Sequence, residues 1–274
     1  MILYGKPVAQ AIEEELKQKI KVLKAKNILP FLAVILVGDD PASVLYTQMK
    51  QKKAESLGIG YRLYKFPDDI AEENIITIIN DLNLNKNVSG IIVQLPLPEN
   101  FDTAKILANI DPKKDVDGLN CGPALPAGRY APTTAGAILE LLDFHKIDLA
   151  QKKVVLVGHG KLVGQPLEKI LSEKNIDLIV CDSKTADLNS ITKTADIIIS
   201  GVGKPGLIKA DMVKSGAIII DAGTAESSGQ TVGDIDPEVY TKVASYSPVP
   251  GGVGPITVMK LLKNVVEAAE KNQL

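Results

Sequence analysis

Apolar residues recur along this chain in two periods that take turns. Short unbroken runs of Val, Ile and Leu read as strands buried on both faces, while apolar positions three and four apart read as helices with one covered face. The first half predicts a helix from about Pro7 to Lys26, a strand at Leu32–Val37 and a helix at Ser43–Leu57. A strand at Tyr61–Phe66, a helix at Ala71–Asn83, a strand at Gly90–Leu95 and a helix at Thr103–Asn109 follow. Asp111–Pro126 is rich in Asp, Pro and Gly, which makes it the expected boundary. The alternation then resumes with a helix at Thr134–His145 and strands at Lys153–Val157, Leu178–Cys181, Ile197–Ser200, Ala217–Asp221 and near Ala244–Tyr246. A last helix, about Pro255–Lys271, is expected to pack back on the first domain. Strands that alternate with helices give an α/β protein with parallel sheets covered on both faces, here two αβα domains. Their expected extents are 1–120, completed by 255–274, and 121–254.

One turn in this pattern carries chemistry. The run Lys153–Val157 ends in Gly158-His159-Gly160, and Val163-Gly164-Gln165-Pro166 then opens a helix whose apolar positions are Leu167, Ile170 and Leu171. Glycines let backbone approach an anion, and a helix N-terminus directs N–H groups at it. The spacing is a loose form of the dinucleotide fingerprint. A second strand follows after one helix and ends in Asp182, where a carboxylate can accept a ribose hydroxyl. An ordinary glycine-rich turn between strand and helix would share these features.

Composition narrows the chemistry further. The 274 residues are 45% hydrophobic and 23% charged with a formal net charge of −2, so nothing electrostatic favours nucleic acid or an anionic membrane. Arg62 and Arg129 are the only arginines, which makes bidentate phosphate clamps scarce. Cys121 and Cys181 have neither metal nor redox spacing, and His145 and His159 are the only histidines, so no metal is expected. Met1–Lys6 lacks the architecture of a signal peptide, and no uncharged apolar run approaches the ~20 residues that span a bilayer. The chain reads as cytoplasmic.

Tyr46 and Lys50 lie four apart on one helix, so a phenol and an ammonium project from the same face. Such a lysine becomes an acid–base group only if burial or neighbours lower its pKa from ~10.4 toward ~7–8. Tyr-x-x-x-Lys is also a common surface pair. Gln94 ends a strand before Pro96-Leu97-Pro98, at the sheet edge where ligands collect; it could orient a lysine without adding charge, or cap a loop. Asp115 and Asp117 could recognise donors on a ligand or cap a turn. The uncharged loop from Pro248 to Pro255 suits a flat ligand or a hinge.

Taken in order, these pieces resemble the bifunctional methylenetetrahydrofolate dehydrogenase/cyclohydrolase family. The resemblance rests on Pro41-Ala42-Ser43, Tyr46-x-x-x-Lys50-x-x-Lys53-Ala54, Gln94–Pro98 and Lys114-Asp115-Val116-Asp117-Gly118. It continues through Gly203–Gly206, Gly233-Asp234-Ile235-Asp236 and Pro248–Thr257. It implies an N-terminal folate-binding catalytic domain and a Rossmann-type domain for a nicotinamide dinucleotide. Methylenetetrahydrofolate would be oxidised to the methenyl form and then hydrated to formyltetrahydrofolate, within one-carbon metabolism that serves purine synthesis, by a homodimer. Lys50 would be the acid–base residue of the hydration, held by Gln94. Tyr46 would stack on or orient the folate, and Asp117 would bind the pterin amino and ring N–H donors. Gly251, Gly252 and Pro255 would line the pterin pocket. The glycine loop (Gly158, His159, Gly160, Val163, Gly164), Asp182 and Thr224 would serve the dinucleotide.

Three departures stand out. Gly158-His159-Gly160 replaces the relatives' usual Gly-Arg-Ser, Asp182 stands where they often have His, and Ala135 replaces a usual proline. The first two point to NAD rather than NADP, with Lys161 and Lys184 as nearby cations that could still hold a 2′-phosphate. Two other readings share this plan: a dehydrogenase of another small metabolite and a non-catalytic dinucleotide-binding regulator.

Overall fold

Every pairing inside the two main sheets is parallel, as the unbroken apolar runs require. The computed structural model describes residues 1–120, 130–227 and 229–271. Its backbone forms two compact units, one of residues 11–133 with 258–271 and one of residues 1–10 with 134–257. The sequence-expected boundary at 121, and Cys121 with it, lies outside the described residues.

In the first unit, β1 (Phe31–Val37) is flanked by β2 (Gly60–Phe66) and β3 (Gly90–Val93), with Leu32 beside both Tyr61 and Gly90. Helices α2 (Pro41–Leu57), α3 (Glu72–Leu84) and α4 (Thr103–Ala108) link and follow these strands. Ile35, Val37, Ile75, Ile79, Ile91 and Ile106 form the centre of the core on one side of the sheet. Full burial of such a side chain is worth about 1.5–3 kcal/mol. α2 begins at Pro41 because Asp40 accepts the Ser43 N–H at 2.8 Å and proline needs no partner at the first helical position.

β3 is two residues shorter than the sequence predicts. Gln94 N–H still donates to Ile35 O, but Pro96 has no N–H with which to continue the ladder. Alongside β3, Ile91 N–H donates to Lys114 O at 2.8 Å and Ile91 bridges Asp115. Gly90 is required there, since a Cβ would meet the Val116 side chain at 2.6 Å. Buried Lys114 donates to the carbonyls of Leu82, Asn83 and Asn85 at 2.7–2.9 Å, closing the end of α3. The C-terminal part of α8 (Val253–Lys271) packs in this unit, as expected, with buried Asn264 donating to Val116 O at 2.8 Å.

The second unit carries a five-stranded sheet in the order β10 (Ser245–Tyr246), β7 (Ile218–Asp221), β6 (Ile197–Ser200), β4 (Lys153–Val157), β5 (Asp177–Cys181). The chain passes from β4 outward to β5 and then back to β6 on the other side of β4. That reversal is a topological switch point, where open α/β sheets leave a crevice at the carboxyl ends of their strands. The first ten residues join this unit because Leu3 N–H donates to Tyr246 O and Gly5 N–H to Gly251 O, each at 2.8 Å. α1 (Gly5–Ala25) and α5 (Thr133–Phe144) fall near their expected spans. A hairpin of β8 (Ala225–Ser227) and β9 (Gln230–Val232), the short α7 (Leu188–Thr192) and two 3₁₀ turns carry too few residues to show a period.

Candidate active site

The first site gathers along the middle of α2 and just past the end of β3. Lys50 Nζ donates to Gln94 Oε1 at 2.8 Å, and the Gln94 amide is locked in turn by donating to Leu95 O at 2.7 Å. Gln94 is buried. Burial lowers the Lys50 pKa, and the negative charge of Asp117 works against that shift. The partner that holds Lys50 is a neutral amide, so it fixes the ammonium or amine without stabilising the charged form as a carboxylate would. Tyr46, one turn earlier on α2, is 42% exposed and so open to a ligand.

The two adjacent carboxylates separate into different roles. Asp115 is buried and caps its own turn: Oδ1 accepts from Gly118 and Leu119 N–H, and Oδ2 from Asn120 N–H. Burial lifts its pKa to about 6 against those hydrogen bonds. Asp117 instead accepts from the Thr133 hydroxyl at 2.5 Å, while its carbonyl accepts from Thr133 N–H. Thr133 is buried, so the Asp117 side chain is aimed by a fixed group. Nothing in the sequence around Thr133 beyond a helix start signalled that role.

In the second unit, Gly158 adopts φ +100°, a conformation that disfavours any side chain, and its N–H donates to Cys181 O at 2.8 Å. Gly164 lies so close beneath it that a Cβ would stand 2.1 Å from Gly158 O. Gly160 has open space where a side chain would be. These glycines fold the loop back tightly against α6 (Gly164–Ser172), whose N-terminus has no side-chain cap at Val163. The first turn of α6 offers fewer donors than the sequence reading supposes, since Gln165 N–H is taken by Gly160 O and Pro166 has none. The backbone of 158–164 therefore carries more of an anion's recognition than the helix end does.

β4 and β5 run in register, with Val157 beside Cys181, so Asp182 flanks the glycine loop. Its Oδ1 accepts the Lys184 N–H at 2.9 Å, which holds the carboxylate in a turn. His159 Nε2 meets Glu168 Oε2 at 2.6 Å, placing a second carboxylate beside the same loop. Val163 packs on Gly201, and Gly158 lies against Gly201 and Val202, so the loops after β4 and β6 touch at the switch point. Thr224 follows β7 and faces the β6 loop near Gly203. Sequence reasoning overlooked Gly201 and Val202; their position after the strand beside β4 was the available signal.

Gly251, Gly252 and Pro255 belong to this second unit. Gly252 is buried, and its missing side chain is explained by packing, since a Cβ would meet Pro248 O at 2.6 Å. Gly251 O is occupied by the Gly5 N–H, and Pro255 is exposed in the first turn of α8.

Comparison with known proteins adds an independent finding. Residues 3–117 match the model for the tetrahydrofolate dehydrogenase/cyclohydrolase catalytic domain, and residues 132–273 match the NAD(P)-binding domain of the same enzymes. The bifunctional protein FolD of Nautilia profundicola is 46% identical over 275 residues, covering 98% of this chain and 97% of that protein. The Campylobacter jejuni bifunctional methylenetetrahydrofolate dehydrogenase/cyclohydrolase structure superposes with a TM-score of 0.94 at 40% identity, covering 100% and 99% of the two chains. The Trypanosoma brucei enzyme, solved with NADP and an inhibitor, gives a TM-score of 0.92 at 31% identity over 99% and 97%.

Proposed function

Because this chain belongs to the tetrahydrofolate dehydrogenase/cyclohydrolase family, we propose that it runs two consecutive folate reactions with Lys50 as the acid–base group of the second. It oxidises methylenetetrahydrofolate to the methenyl form with a nicotinamide dinucleotide and hydrates that product to formyltetrahydrofolate. The observation that carries the role of Lys50 is its 2.8 Å contact with the locked, uncharged Gln94. A spectrophotometric assay with methylenetetrahydrofolate and each nicotinamide tests the activity.

The dinucleotide, when bound, supplies the hydride acceptor. The uncapped start of α6, the φ +100° backbone at Gly158 and the open space at Gly160 fit a pyrophosphate. The protein's part in the oxidation is to hold and orient. Tyr46 covers or orients the folate, and Asp117 pairs with pterin donors. Hydration needs more: as the C–O bond forms, the amine form of Lys50 takes a proton from water, and it returns a proton to the ring nitrogen as the C–N bond breaks. A half-buried lysine paired with an amide, its pKa lowered by desolvation, has the amine form available nearer neutrality than an exposed one.

We further propose that this chain prefers NAD⁺ to NADP⁺. A 2′-phosphate would meet Asp182 and, near His159, Glu168, and the 158–160 loop has neither the arginine nor the serine of the relatives' usual Gly-Arg-Ser, which leaves Lys161 and Lys184 as the nearby cations. Like charges at ~4 Å in a partly solvated site still give roughly tenfold discrimination or more. Steady-state kinetics should therefore give the higher kcat/KM for NAD⁺ by at least about that factor. A kcat/KM for NADP⁺ equal to or above that for NAD⁺ would remove Asp182 from the argument. Family membership also supports a cytoplasmic homodimer in the one-carbon supply to purine synthesis.

A further inference from the structure

Two wholly buried carboxylates of the second unit, Asp221 and Asp234, lie side by side below the ends of β6 and β7. Asp234 accepts from the Ser200 hydroxyl at 2.6 Å, from Val202 N–H at 2.7 Å and from Lys204 N–H at 2.7 Å. Asp221 accepts from Gly223 N–H at 3.0 Å, Asp234 N–H at 3.2 Å and Ile235 N–H at 3.1 Å. The arrangement is a two-step tether: Asp221 fixes the segment bearing Asp234, and Asp234 fixes residues 200–204.

Space has been cleared for it. A Cβ on Gly223 would stand 2.2 Å from the Asp234 carboxylate, and one on Gly233 2.0 Å from the Asp221 carboxylate. The segment held is the β6 loop that touches Gly158 at the switch point. It contains Gly203 and Gly206 at φ +79° and +62°, and it exposes the apolar side chain of Val202 at the crevice. The backbone ladder reaches only to Gly201, whose N–H donates to Val157 O, and beyond it charge-assisted hydrogen bonds to Asp234 hold the N–H groups of Val202 and Lys204. The arrangement is kept despite an electrostatic cost, since burial and the neighbouring Asp234 push Asp221 up to about 7.

We propose that Asp234 is a positioning residue of the dinucleotide site, holding the backbone of residues 200–204 in the shape that receives the cofactor. This rests on the dinucleotide reading of the second unit. Asp234→Asn keeps the shape but puts an amide NH₂ where an oxygen now accepts N–H or O–H donors. The KM for NAD⁺ should rise about ten- to a hundredfold, with kcat at saturating dinucleotide within about threefold of the parent. Hydration of methenyltetrahydrofolate supplied directly should be unchanged, because Lys50, Gln94 and Asp117 lie in the other unit. A role in folding alone would reduce the number of active molecules, lowering both rates together and leaving KM where it was.

Ser200→Ala removes one of the donors at the end of β6 while leaving the sequence of residues 201–204 intact, and should raise the same KM about three- to tenfold. It decides the matter if Asp234→Asn does not fold. A KM for NAD⁺ within about twofold of the parent in the folded variant overturns the proposal. If the parent chain itself reduces no dinucleotide, it is the functional reading that fails, and the two outcomes cannot be confused.

Discussion

Lys50→Met should depress hydration of methenyltetrahydrofolate by about 10²–10⁴-fold, the range that a positioned acid–base group supplies. Methionine keeps the length and apolar stem of the side chain but loses the nitrogen, so α2 should be little disturbed. The substitution leaves Gln94 Oε1 without its donor, while the Gln94 amide keeps its bond to Leu95 O. Hydride transfer from the substrate requires no proton at Lys50, so the dehydrogenase rate should fall far less, and methenyltetrahydrofolate should accumulate during turnover. Stopped-flow decay of added methenyltetrahydrofolate separates the two steps. A variant that hydrates at the parent rate would take Lys50 out of the mechanism. In the parent enzyme, the hydration rate should rise with pH through the Lys50 pKa, along a limb displaced below the ordinary lysine range by burial.

Asp117→Asn should weaken folate binding roughly ten- to a hundredfold, since a hydrogen bond to a charged group is worth about 1.5–3 kcal/mol. The carboxylate is aimed by the buried Thr133 hydroxyl, and on the proposed reading its oxygens would accept the paired amino and ring N–H donors of a pterin. An amide offers one oxygen and one competing NH₂. Dinucleotide affinity should be unchanged, because every residue assigned to that ligand lies in the other unit. The same variant carries a signature in pH. Asp117 holds the Lys50 pKa up, so removing its charge should move the acid limb of hydration to lower pH. Titration calorimetry with folate and with NAD⁺, together with the pH profile, checks both effects. Equal loss of both ligands would mean that the substitution had damaged the fold rather than a folate contact.

The elements that were legible in the sequence were those whose burial writes a period. β1, β4 and β6 are runs without a polar interruption, and α1 and α8 are long enough for their stripes to show. Gln94 illustrates where a period misleads: the pattern runs on to Leu95, yet the strand stops at Val93, the Gln94 N–H makes the last bond to β1, and Pro96 has none to give. The site was half visible. Tyr46 and Lys50 share a helix, so spacing alone joined them, and Gln94 was placed by its strand end. Thr133 and the Asp221–Asp234 pair were hidden, because all their partners but Gly223 lie from 13 to 34 residues away and depend on strand order, which no local pattern records. The reverse also holds: Asp115 and Asp117 look alike in sequence, and only their hydrogen bonds separate a turn cap from a candidate ligand group.

The most direct test follows the purified chain spectrophotometrically with methylenetetrahydrofolate and a nicotinamide dinucleotide, with products separated after turnover. The account predicts reduction of the dinucleotide, faster with NAD⁺ than with NADP⁺, and formyltetrahydrofolate as the product released. It also predicts that Lys50→Met stops the same mixture at the methenyl compound. Failure to reduce either dinucleotide, or formyltetrahydrofolate formed as fast by Lys50→Met as by the parent, would contradict it.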